Sequence, residues 1–310
     1  MIKIFQSFGG YIEIEKAQKG CWINATAPSS EEIIRLTNEF KLPADAITDI
    51  LDADERPRVE FDDGWSLIIM RIPIETPDNG GVPYQTIPLG IYLTENFTLT
   101  LSLKNNQVLP MQQPSVYKEQ IHTVRDPNNF ILQLFLRNGT LYLKYLKQIN
   151  QLTNLIEQDL EKSIKNRELN QLLKMEKCMV FFITSIKANE IVLAKLRSSK
   201  HIKSEINEDL LEDAIIENKQ ALEMAKIYSD IQSGMMDAFA SVISNNLNVV
   251  MKQLTLISII LMIPTLIASV FGMNVPNMLE NSLWAMPVII SVSLILSIMG
   301  VLLFHKRQWF

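Results

Sequence analysis

Ten side chains recur at alternating steps of four and three along one stretch: Asp237, Ser241, Ser244, Asn248, Met251, Thr255, Ser258, Met262, Thr265 and Ser269. A mean step of about 3.5 keeps such positions on one side of a continuous, slightly supercoiled helix. Hydroxyls, a carboxamide and thioethers can touch water and hydrated ions without holding them, and a carboxylate stands at one end. That is the chemistry of a wet seam shared by copies of one helix. Small and hydroxyl residues on a membrane helix more often serve close helix packing. The unbroken run of this seam out of the apolar stretch to Asp237 is more than packing requires.

Other chemistries find little support. His122, His201 and His305 are scattered, and no nucleophile lies at a base's spacing, so an enzyme is not expected. Cys21 and Cys178 stand alone, without a CxxC pair or a histidine neighbour, and read as core residues. No GxGxxG or P-loop pattern occurs, which leaves nucleotide binding and an organic cofactor unsupported, and no nucleic-acid partner is expected.

The seam needs a helix in a membrane to carry it. Leu254–Phe271 contains 18 residues without an ionisable side chain, close to the roughly 20 that cross a hydrocarbon core. Leu283–Phe304 supplies a second such run of 22 residues. The remainder of the 310 residues, with a net charge of −5, is long enough for a soluble body with its own core. Lys252 precedes the first run and Lys306 and Arg307 follow the second, whereas the loop between them holds no Lys or Arg. The positive-inside tendency then puts both termini in the cytoplasm of a cell-membrane protein in contact with lipid. Met1–Lys16 lacks a basic start followed by an apolar run and does not read as a signal peptide.

Upstream, residues 1–127 read as a cytoplasmic α/β domain with a mixed sheet. Short strand patterns cover Ile2–Phe5, Tyr11–Glu15 and Cys21–Ala27, and Ser29 with Glu32 forms a capping box that opens a helix to about Phe40. A second helix fits Ala44–Leu51. Val59–Phe61 and Trp65–Pro73 flank Asp62-Asp63-Gly64, and Gly90–Leu93 and Phe97–Leu103 flank Glu95-Asn96, two hairpin signals of the kind that needs positive φ. Residues 128–203 read as a long antiparallel helix pair, with Gly139 as the place for a kink in its first member. A third helix from about Glu208 through Phe271 comprises a stalk, 204–253, and the first span, 254–271. An external loop, 272–282, a second span, 283–304, and a basic tail, 305–310, complete an α+β architecture. Acids crowd the start of the third helix, among them Glu208, Asp209, Glu212, Asp213 and Glu217, while Glu157, Asp159 and Glu161 mark the first. Each alone is most simply a solvated helix face.

Gly272-Met273-Asn274 directly after the first span, a short acidic loop, a second span and a basic end together resemble the CorA family of two-span divalent-cation transporters. Arg56-Pro57-Arg58-Val59-Glu60 resembles a signature of that family's cytoplasmic domain. The resemblance implies a homopentameric Mg²⁺ channel in which Asn274 forms a polar ring at the outer mouth, with Gly272 and Met273 shaping the turn. It puts Asn248, Met251, Leu254, Met262 and Thr265 at pore positions, with Met251 and Leu254 as the hydrophobic gate. Thr255, Ser258 and Ser269 join the lining through the seam itself. Asp237 falls on a stalk acid that shares an intersubunit regulatory Mg²⁺ site, with Asp78 of a neighbouring domain as its partner. Glu280 is the acid left near the entrance, since Pro276 replaces one often found after the motif, and Phe271 replaces a commoner tyrosine before it. The leading expectation is therefore passive Mg²⁺ influx, which also admits Co²⁺ or Ni²⁺. A zinc transporter of the same fold and a non-conducting, membrane-anchored coiled-coil sensor or scaffold are the alternatives.

Overall fold

The computed structural model describes residues 1–7, 11–76, 81–110, 126–162, 166–199, 207–273 and 284–306. They divide into two compact units, Met1–Gly234 and Met235–Phe310.

The first unit is built on a 7-stranded mixed sheet of order β2-β1-β3-β7-β6-β5-β4. Its strands are β1 (Ile2–Ser7), β2 (Tyr11–Ile14), β3 (Cys21–Thr26), β4 (Arg58–Asp62), β5 (Trp65–Glu75), β6 (Tyr84–Thr94) and β7 (Phe97–Ser102). All neighbours are antiparallel except β3 and β7, which pair in parallel from Cys21 beside Phe97 to Thr26 beside Ser102. Between β4 and β5 the turn falls at Asp63-Gly64, where Gly64 has φ +87°. The Glu95-Asn96 turn manages without positive φ, because the Thr94 hydroxyl accepts from the backbone N–H of Asn96 at 3.3 Å and of Phe97 at 3.1 Å.

β6 is longer than its sequence suggests, and Pro88 is the reason the pattern misleads. Pro88 has no N–H to give a ladder, but β7 pairs with β6 only from Leu89 onward, so Pro88 lies where β6 has one open edge. Pro73 on β5 lies likewise beyond the end of β4. Gly90 answers a different need. A Cβ there would fall 2.2 Å from Ile50 Cδ1, so its absence lets helix α2 lie against the sheet.

Each face of the sheet is covered. Helices α1 (Ser30–Asn38) and α2 (Ala44–Leu51) pack Leu36, Ile47 and Ile50 onto Ile23, Leu67, Ile69 and Leu101. Ser29 and Glu32 cap α1 reciprocally, as their spacing predicts. Arg58, within the Arg56–Glu60 signature, is ion-paired to Asp49 at the end of α2 and to Glu55 and Glu60, tying that helix to the edge strand. Against the other face lie α3 (Pro127–Lys162) and α4 (Asn166–Ser198), whose aromatic rings interlock with it. Trp22 meets Phe130 at 5.5 Å between centroids, Tyr84 meets Tyr145 at 5.0 Å, and Tyr142 stands edge-on to Phe182. Covered on both sides, Leu67–Met70 of β5 is wholly buried, which is why it reads as an apolar run rather than an alternation.

Where β4 ends, the open edge of β5 is closed by side chains. The backbone N–H of Arg71 donates to Asn189 Oδ1 at 2.8 Å, and its carbonyl accepts from Asn189 Nδ2 at 2.7 Å, Asn138 Nδ2 at 3.1 Å and Tyr142 Oη at 3.1 Å. Asn138 and Asn189 are both fully buried. An edge that would otherwise offer unpaired backbone groups thus becomes the joint between the sheet and the α3–α4 pair. Burial raises the Tyr142 phenol well above its ordinary range, against a smaller opposing pull from the nearby Arg71 cation.

Helix α5 (Glu208–Phe271) is one element of 64 residues, and its first part belongs to this unit. Gly139 does not break α3, which is helical throughout. A Cβ on Gly139 would lie 2.8 Å from Glu217 Cγ, so the glycine admits α5 at close range, and Thr140 Oγ1 donates to Glu217 Oε1 at 3.0 Å. The second unit comprises the rest of α5 and α6 (Ala285–Lys306). The C-terminal part of α5 and Met286–Phe304 are long and apolar enough to cross a membrane, and both are almost wholly exposed in the single chain.

Candidate functional site

Every member of the seam from Asp237 to Ser269 is exposed, and so is Leu254 beside it. Four of the six seam hydroxyls share one arrangement. Ser241 Oγ donates to the Asp237 carbonyl at 3.0 Å, Thr255 Oγ1 to Met251 at 2.8 Å, Ser258 Oγ to Leu254 at 2.9 Å and Thr265 Oγ1 to Leu261 at 2.9 Å. A hydroxyl has one proton to give and two lone pairs to receive with. With these four protons spent on the carbonyl four residues back, the lone pairs are what those hydroxyls present outward. Such a surface accepts hydrogen bonds from the water shell of a cation and gives few to an anion.

The opposite side of the same helix is the covered one. Leu256 is buried and Ile260, Ile263, Pro264 and Ile267 are half-buried, with Ile260 and Ile263 facing Ser297 and Gly300 of α6. Facing different ways, the two stripes give α5 a packing side and a free side. Only the free side was legible from its residue types. The small residues of α6 that do the packing, Ser293, Ser297 and Gly300, form an i, i+4, i+7 series within an apolar span and could have been found by that spacing.

At the end of the span, Gly272 carries the chain out of the helix. Its N–H donates to the Ala268 carbonyl at 2.9 Å, and a Cβ there would lie only 3.1 Å from that same oxygen. Met273 is exposed beyond it. Asn274, Glu280 and Asp78 lie outside the described residues. Asp237 is exposed on α5, and among the described residues no group of three or more His, Cys, Asp or Glu gathers to hold a metal. A regulatory ion at Asp237 therefore needs ligands from elsewhere. In the first unit a cleft of about 770 Å³ is lined by Glu75 and Asp159 with Lys174, Tyr84 and Tyr145, a convergence the sequence did not reveal.

Residues 17–307 match the family model described as CorA-like Mg²⁺ transporter protein. The chain belongs to the CorA family. The cobalt/magnesium transport protein CorA of Methanocaldococcus jannaschii is 25% identical over 293 residues, covering 93% of this chain and 90% of that protein. The protein of the same name from Thermotoga maritima is 25% identical over 292 residues, or 93% and 83%. The complete structure of the CorA magnesium transporter from M. jannaschii superposes with a TM-score of 0.81 over 100% of this chain and 99% of that one, at 20% identity. The CorA fold, a mixed-sheet domain followed by long helices and two C-terminal candidate spans, is therefore the fold of this chain. CorA members are membrane transporters, not enzymes, as the scattered histidines anticipated.

Proposed function

We propose that the chain is one protomer of a channel for hydrated divalent cations, Mg²⁺ first, with the exposed seam of α5 facing an axis shared by five copies. The observation that carries this reading is the inward donation of Thr255, Ser258 and Thr265, which leaves their oxygen lone pairs in file on an otherwise apolar span. Two spans in one chain cannot enclose a conduit, so the path requires copies of the chain around it. That the two relatives are cobalt/magnesium transport proteins supports Mg²⁺ and Co²⁺ as cargo. Mg²⁺ gives up its water reluctantly, so neutral oxygens that touch its hydration shell can pass it without stripping it. Asn274 supplies such oxygens at the outer mouth, on the turn opened by Gly272 and Met273, and Glu280 draws cations toward it. A divalent ion crossing the full membrane potential from outside gains about 4.6 kcal/mol per 100 mV, so influx into a cytoplasm that holds both termini needs no ATP.

Met251 and Leu254 form the gate, and Asp237 its sensor. Internal Mg²⁺ bridging Asp237 to an acid of a neighbouring copy, Asp78 in this reading, holds the stalks together; when the ion leaves, carboxylate repulsion loosens them. The deciding experiment is Mg²⁺ uptake into liposomes containing the purified protein, with Asn274→Ala alongside. Uptake that falls to background in the variant supports the channel. No uptake by the wild type leaves a scaffold, and Zn²⁺ outcompeting Mg²⁺ and Co²⁺ in the same vesicles makes the cargo zinc. Asp237→Ala is expected to keep its uptake when the vesicles are preloaded with Mg²⁺, and inhibition equal to that of the wild type would remove Asp237 from the sensor.

A further inference from the structure

Pro264 lies inside α5. Lacking an N–H, it cannot donate to the carbonyl of Ile260, the bond that every other residue type would make at that position. In a hydrocarbon environment no water replaces that donor, and an acceptor left bare there is costly. The neighbouring Leu261 carbonyl is served within α5 by Thr265 Oγ1 at 2.9 Å. For Ile260, help comes from the other helix: Ser297 Oγ of α6 stands 3.5 Å from the Ile260 oxygen, at the long end of hydrogen-bonding range. Ser297 is only 8% exposed, as is Ser293 one turn before it, although most of α6 is open to its surroundings. Gly300 follows on the same side, where a Cβ would sit 3.7 Å from Ile263 Cδ1. Small residues thus bring α6 against α5 at the level of the missing bond.

We propose that Ser297 is a positioning residue for the conduction path, donating its hydroxyl proton to the carbonyl that Pro264 leaves without a donor. The bond joins the outer helix to the weak point of the lining helix, beside Met262 and Thr265 of the seam. Bending of α5 at Pro264 then makes or breaks this bond, so the setting of those two seam side chains depends on α6. The link to conduction rests on the channel reading above; the hydrogen bond itself does not.

A double-mutant cycle on the full-length protein tests both. Thermal unfolding in detergent and Mg²⁺ uptake into liposomes are measured for wild type, S297A, P264A, the double variant and S297T. S297A is expected to lower the unfolding midpoint and to change the uptake rate about threefold, the scale of one interhelical hydrogen bond in a membrane. S297T keeps the hydroxyl and restores both. In P264A the regained N–H serves Ile260 from within α5, so adding S297A changes neither readout further. An S297A effect of equal size with and without Pro264 would reduce Ser297 to simple packing, and no effect in the Pro264 background would remove the bond. Because unfolding is read without flux, the cycle decides the bond even where wild-type liposomes take up nothing, a result that would count against the channel reading instead.

Discussion

Leu254→Asn is expected to raise Mg²⁺ uptake into preloaded liposomes roughly tenfold, equivalent to about 1.4 kcal/mol off the barrier. Met251 and Leu254 stand 59% and 58% exposed on the side of α5 that carries the hydroxyls, between the amide of Asn248 and the hydroxyl of Thr255. Apolar side chains gathered about an axis shed water, and a hydrated ion does not cross a dry gap. A carboxamide at that level keeps the gap wet whatever the stalks do, so the variant also loses its response to internal Mg²⁺. Met251→Asn acts in the same direction. Leu302→Asn is the control, an apolar residue of α6 that is 61% exposed and lies on no seam. Equal gains from Leu302→Asn and Leu254→Asn, or none from the latter, would place the barrier elsewhere.

Asn189→Ala is expected to destabilise the first unit by about 3 kcal/mol, roughly 10 °C in its melting midpoint. Asn189 is fully buried and closes both backbone groups of Arg71, at 2.8 and 2.7 Å. Truncation leaves the Arg71 N–H dry and unpaired, and an orphaned buried donor costs more than the bond was worth. Asn138→Ala should cost much less, because the Arg71 carbonyl keeps Asn189 and Tyr142 as donors. Calorimetry or far-UV circular dichroism on the full-length protein checks the pair, and equal losses would mean that the joint is held by packing rather than by Asn189.

The two variants differ in how visible their targets are from sequence. Met251 belongs to a pattern written along one helix, where residue type and a fixed repeat suffice to sort one side from another, and Leu254, one residue off that repeat, was marked by the family resemblance. Asn189 and Arg71 are 118 positions apart, and nothing local to either announces the other. The same division runs through the glycines. Gly64 was legible because its turn is local, whereas the room that Gly139 makes for Glu217 was not, because the two are distant in sequence. Likewise the extension of β6 back through Pro88 was not legible, because it depends on the short reach of β7, which leaves the missing N–H of Pro88 without a ladder to serve.

By itself, then, the sequence determined what is written in short-range spacing: the capping box at Ser29, the hairpins, the long helices, two apolar spans and the oxygen-rich stripe on the first. Helical and strand periods are set by backbone geometry, so residue order alone carries them. The tertiary structure decided which elements meet. It set the parallel pairing of β3 with β7, the closing of the β5 edge by α3 and α4, and the approach of Ser297 to a carbonyl 37 residues away. Those contacts follow from burying both faces of one sheet and satisfying backbone groups left over at its edge and at a proline, conditions that exist only once distant parts of the chain share the same space.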